Sequence, residues 1–164
     1  MTKRSKRNLG AMLVLTLMLP LLFFPLQLIQ VSWQDQTHYL NEDSFSIQWI
    51  HSVEKEEWIE AYHKTDSGLT LEKTRFKTYG AGVPVTGPTT LTEDGYIEMQ
   101  VQREMEEIRL VVSPLVQSTL TTTSGRTNLY ELTDPYEEVL IQPAHLPAYA
   151  YVKYLIEKGG IPHE

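Results

Sequence analysis

The sequence predicts a mainly β fold: an antiparallel β-sandwich or barrel-like domain with a C-terminal amphipathic α-helix, preceded by one N-terminal transmembrane helix. Three observations carry this reading. Short extended segments alternate with turn residues from Ser44 to Thr133, the tail repeats its apolar residues at helical spacing, and an uncharged apolar stretch opens the chain.

That opening stretch comes first. No side chain between Arg7 and Asp35 is charged, and Leu9 to Val31 forms a run of 23 residues. As a helix it spans about 34 Å, enough for a hydrocarbon core of about 30 Å. Pro20 and Pro25 would kink such a span. Lys3, Arg4, Lys6 and Arg7 precede it and no cation follows it closely, which places the N-terminus in the cytoplasm. The expected organisation is a cytoplasmic basic segment (1–8), a transmembrane anchor (9–31), a linker (32–43) and an extracytoplasmic domain (44–164). Trp33 and Tyr39 of the linker are suited to the headgroup level. A cleavable leader is the competing reading, although its apolar core would be shorter and Gln30 to Gln34 offers no small-x-small site. Both readings place the domain outside the cytoplasm.

The strands follow in order. Ser44 to Ile50 alternates strictly, with Phe45, Ile47 and Trp49 on one face. Further extended segments are expected at 58–63, 69–79, 96–101, 108–112, 119–123 and 128–133, with Asp66-Ser67-Gly68, Glu93-Asp94-Gly95 and Ser124-Gly125-Arg126 as turns. Such a run of short strands points to a sandwich or barrel. In the tail, Ala148, Tyr151, Val152, Leu155 and Ile156 share one helical face, expected to cover an edge of the sheets. Pro147 and Gly159 punctuate its ends.

Composition narrows the chemistry. The absence of cysteine removes disulfides, thiolate nucleophiles and Cys-based metal sites, and no cofactor pattern is present. Beyond the basic N-terminus, ten basic residues face twenty-one acidic ones, a net charge of −11. A body of that charge repels nucleic acid and anionic lipid headgroups, so neither is an expected partner of the domain.

Two local patterns are candidates for a site: His51-Ser52-Val53-Glu54-Lys55, with Glu57 and Glu60 behind it, and Tyr79-Gly80-Ala81-Gly82-Val83-Pro84. Neighbouring side chains on a strand point to opposite faces, so His51 is not positioned by adjacency to activate Ser52. A metal site would need His51 with Glu54 or Glu57 and a third ligand such as His63 or His145, without a recognisable ligand spacing. The glycines resemble an anion cradle only in part. Val83-Pro84-Val85 and Gly87-Pro88 forbid the helix that phosphate loops require, so a turn needing positive φ or close backbone packing is the plainer reading.

Together these patterns give a family resemblance. His51-Ser52-Val53-Glu54, then Arg75-Phe76 leading into Tyr79-Gly80-Ala81-Gly82-Val83-Pro84, with 29 positions from His51 to Gly80, resembles the DUF1850 family. The likeness covers roughly residues 44–100. The chain departs from the family pattern after Glu54, where Lys55-Glu56-Glu57-Trp58 replaces Thr-Pro. The resemblance implies a small extracytoplasmic domain without established activity, associated with TRAP-type (TAXI) solute transporters. The expected role is therefore a membrane-anchored accessory or binding module and not an enzyme, with a transporter permease or solute-binding protein as partner. A structural cell-envelope interaction domain is the alternative, and an enzyme using His51, Ser52 and Glu54 the second. The contact residues it implies are His51, Ser52, Glu54, Glu60, Arg75, Gly80, Ala81, Gly82 and Pro84.

Overall fold

The computed structural model describes residue 16 and residues 19–83 and 87–163. The expected basic segment, most of the expected anchor before Leu19, and Pro84 lie outside the described residues.

The described chain is mainly β and wholly antiparallel. In order, its strands are β1 (Pro25–Trp33), β2 (Gln36–Leu40), β3 (Ser44–Ile50), β4 (Glu57–Lys64), β5 (Leu69–Phe76), β6 (Thr89–Leu91), β7 (Ile97–Met105), β8 (Ile108–Val111), β9 (Thr119–Thr121), β10 (Arg126–Asn128) and β11 (Glu138–Pro147). Helix α1 spans Leu129–Leu132 and helix α2 spans Ala148–Lys158. Sheet A has the order β2-β1-β11-β8, and sheet B the order β10-β9-β3-β4-β5-β7-β6. Ile29, Val31, Trp33, Val139 and Ile141 of sheet A share one buried cluster with Phe45, Ile47, Tyr62, Leu69, Leu71 and Leu120 of sheet B. Two sheets closed over one apolar layer make a sandwich.

One irregularity decides where the site lies. Phe45, Ile47 and Trp49 of β3 stand opposite Tyr62, Glu60 and Trp58 of β4. On β5 the buried positions change phase, from Leu69 and Leu71 to Thr74 and Phe76. Glu72 has no partner in either neighbouring register, so a bulge absorbs the extra residue and keeps all four on one face. Sheet B therefore presents one continuous inner face that is longer than sheet A can cover. Beyond the shared cluster it carries a second one of Trp58, Phe76 and Met99, with Trp49, Val83 and Ile97 against it.

Lys64 closes the opposite end of β4. Its buried ammonium donates to the Gln27 carbonyl at 2.6 Å and lies 3.4 Å from Asp43, so a strand of sheet B grips β1 of sheet A. A buried charge is tolerable only with such partners.

The sequence expectations need several corrections. Pro25 to Val31, counted in the anchor, form β1, paired with β11 through Pro25–Pro147 and with β2 through Ile29–Leu40. Gln27 and Gln30 pass for span residues on charge alone, whereas Ile29, Val31 and Trp33 alternate into the core. Among the described residues no helix is long and apolar enough to cross a membrane. Helical residues 19–22 end just ahead of Pro25, which cannot donate to a continuing helix. The expected linker 32–43 is instead the end of β1, a turn and β2. Trp33 is a core residue, stacked on His38 at 4.9 Å. The strand expected at 128–133 is replaced by β10 and the single turn α1. There the Thr133 amide and hydroxyl both donate to the Leu129 carbonyl, and Leu129 is fully buried.

The C-terminal helix is present, with Gly159 closing it in the left-handed region at φ 73°. Its expected inner face is not the observed one. Tyr154 is buried, while Val152, Leu155 and Ile156 are exposed. The helix docks through His38, whose Nδ1 lies 3.2 Å from the Tyr154 hydroxyl and 3.3 Å from the Gly160 carbonyl. Burial holds the His38 pKa below its ordinary value against the raising effect of the Gly160 carbonyl. A lowered histidine pKa means that the folded state favours the neutral ring. The docking is thus complete above the ordinary histidine range and is lost as pH falls through the folded value. His38→Ala should cost about 1–2 kcal/mol at pH 7. The gap in melting temperature between wild type and variant should narrow from pH 7 toward pH 5; a gap unchanged with pH would refute the titration.

Candidate functional site

The overhanging apolar face of sheet B needs a cover, and the two sequence patterns supply it. β3 and β4 are joined by residues 51–56, held by the His51 amide to the Glu56 carbonyl at 2.8 Å and the Lys55 amide to the His51 carbonyl at 2.9 Å. Lys55 takes the left-handed position at φ 57° that lets the chain re-enter the sheet. His51 consequently lies over Trp58, ring centroids 5.2 Å apart, while Trp49 stacks on the same indole at 5.9 Å. The Trp58 indole N–H donates to the buried Thr74 hydroxyl at 2.5 Å, which satisfies the polar edge of a ring otherwise in an apolar layer.

The second pattern enters from β5. Phe76 touches Trp58 at 5.3 Å and Tyr79 at 5.3 Å, so the chain after β5 folds back over the same cluster. Here the two patterns meet. The Ala81 amide donates to Glu54 Oε1 at 3.1 Å, and Glu54 Oε2 pairs with His51 Nδ1. Gly80 lies so close to the Glu54 carboxylate that a Cβ at that position would overlap it. Gly82 supplies the other property expected of the glycines, a left-handed backbone at φ 84°. A second tie runs from the Thr78 hydroxyl to Glu56 at 2.7 Å.

The electrostatics agree with a closed latch. Desolvation pushes the Glu54 carboxyl up, but the Ala81 amide, its own backbone amide and His51 outweigh this and hold its pKa below the ordinary glutamate value. The carboxylate is thereby an acceptor already in use. Each arm also holds out one large apolar side chain: Val53 is 67% and Tyr79 64% exposed. Ile50 also donates its amide to the Val116 carbonyl at 2.7 Å, which brings the turn carrying exposed Leu115 to the same end of β3.

Of the residues expected at the site, His51, Glu54, Gly80 and Ala81 come together, with Gly82 in the same loop and Ser52 exposed in the turn. Two others are elsewhere. Glu60 lies on the inner face, bonded by the Tyr62 hydroxyl, and its pKa is raised by burial. Arg75 alternates to the outer face, 2.7 Å from Asp94 and 3.8 Å from Glu98, over the Tyr96 ring at 4.7 Å. Burial and then the hydrogen bond to Glu57 push the Tyr96 hydroxyl up to about 12. Among the described residues no three histidine, aspartate or glutamate side chains are grouped to hold a metal ion. Trp58, Thr74 and Thr78 were not expected at the site. Strand register places Trp58 and Thr74, and the chain folding back after β5 places Thr78.

Residues 45–129 match the family described as a domain of unknown function, DUF1850, over just more than half of the chain. The chain is a member of the DUF1850 family. The match runs from β3 into α1, so it holds both arms of the latch and all of sheet B but Ser44, whereas β1, β2, β11 and α2 of this DUF1850 protein lie outside it. No curated protein and no solved structure matches the chain.

Proposed function

We propose that the chain is a non-catalytic extracytoplasmic accessory or binding module, held at a membrane by its N-terminal apolar segment and associated with a TRAP-type (TAXI) solute transporter. The contact surface is the latch, and the partner is the permease or the solute-binding protein. The observation that carries the contact surface is the meeting of the two patterns in one exposed joint. Glu54 and the Ala81 amide are spent on each other, while Val53 and Tyr79 on either side face outward. Apolar side chains held out from a rigid joint suit recognition of another protein. The transporter association rests on the family resemblance and on nothing in the geometry.

A photoreactive phenylalanine analogue at Val53 or Tyr79, in the full chain within its native membrane, tests this reading. Adducts with a permease or solute-binding protein are expected from both positions. They are not expected from Ser67, which lies at the opposite end of the β4–β5 hairpin. Adducts with neither partner would sink the transporter reading, and equal yield from Ser67 would sink the latch as the contact surface.

A further inference from the structure

The latch leaves the other side of the sandwich unexplained. Along α2, Tyr149, Val152, Leu155 and Ile156 are 48%, 51%, 40% and 79% exposed, although they are the helix's most apolar residues beside Tyr154. The inward side is taken up by Tyr154, which meets His38 and, edge-on at 5.2 Å, Tyr39 of β2. The exposed stripe therefore runs the length of an 11-residue helix, with Leu155 at its border beside Tyr39, Leu40 and Glu42.

The position of its first turn is informative. The Ala148 amide donates to the Phe24 carbonyl at 3.0 Å, and the Phe23 and Tyr149 rings are 5.4 Å apart. Leu19, Leu21, Leu22, Phe23 and Phe24 are all exposed, and the sequence stays uncharged from there back to Arg7. No linker separates this apolar segment from the sandwich, because β1 starts at Pro25. The point at which the segment would leave a bilayer is therefore within hydrogen-bond reach of the start of α2.

We propose that α2 and the Phe23–Phe24 junction form a foot that lies in the bilayer surface, with the β2 edge of the sandwich turned toward the lipid. The proposal deepens the membrane-anchored reading and rests on it. An apolar stripe sustained over three turns fits a helix lying in the interface plane. Tyr149 is suited to headgroup depth, and Lys153 and Lys158 can extend to the phosphates while their stems stay against apolar surface. Glu157, 3.8 Å from Lys153, is the helix's one acid, so α2 carries a net +1 on a domain of net −11. Continuity with the segment, together with this local charge, favours lipid over a protein partner as the occupant.

The absence of native cysteine makes the test clean. The full-length variants V152C, I156C and L91C, labelled with nitrobenzoxadiazole, are reconstituted into phosphatidylcholine–phosphatidylglycerol vesicles containing spin-labelled lipid. Leu91 is the control, exposed on β6 at the far edge of sheet B. The proposal expects labels at 152 and 156 to be quenched at least about two-fold more than the label at 91. Three outcomes overturn it. Quenching equal to that at 91 in chains that float with vesicles removes the foot and leaves the anchor standing. A blue-shifted but unquenched label means that protein covers the stripe, either a second copy or the chain's own N-terminal segment. Failure to float with vesicles defeats the anchor, and the foot with it.

Discussion

Trp58→Ala is expected to lower stability by about 3–5 kcal/mol, the range for removing a large buried aromatic. The indole is 6% exposed and touches Trp49, His51 and Phe76. Sheet A does not reach this part of the inner face, so the neighbouring strands cannot easily collapse into the space left. The buried Thr74 hydroxyl would also lose its indole donor. Urea unfolding followed by far-ultraviolet circular dichroism measures the loss, and Trp58→Phe should recover much of it by keeping the ring contacts. A loss under about 1 kcal/mol for alanine would mean that the overhang is not a packed layer.

Gly80→Ala should open the latch through Glu54. The new methyl occupies the space of the carboxylate, which must swing away and give up both the Ala81 amide and His51. In a Glu54→Ala background that collision is gone. At least half of the stability loss caused by Gly80→Ala in the wild-type chain should therefore disappear, which a double-mutant cycle reads directly. If the loss is the same in both backgrounds, Gly80 is required for another reason and the latch is not the link. The coupling should also depend on acid. The folded Glu54 pKa is lowered, so its contribution is complete above the ordinary carboxylate range and is lost as pH falls through the folded value.

Most of sheet B was legible from local signals. β3 lies where the alternation of Phe45, Ile47 and Trp49 places it, and the acid-and-glycine turns fall between the strands expected around them. The site was legible only as two separate patterns, whose partners depend on register. Glu72 offers no sign in the sequence that it is a bulge. Without that extra residue Thr74 and Phe76 would leave the inner face, and the cluster beneath the latch would not form. Arg75 and Glu60 looked like site residues through proximity in sequence, but strand alternation sends Arg75 to the outer face, and Glu60, on the same face as Trp58, lies farther along β4 beside Tyr62.

The sequence alone determined the β class, the C-terminal helix between Pro147 and Gly159, and the identity of the two patterns that form the latch. Each is a local matter of period, turn chemistry or residue type. Tertiary structure decided that Pro25 to Val31 is a central strand, because its backbone is satisfied by β2 and by β11 more than a hundred residues later. It decided that His51, Glu54, Gly80 and Ala81 touch, and that the apolar residues of α2 face outward. Periodicity tells which face of an element is apolar; what covers that face depends on contacts between residues far apart in the chain.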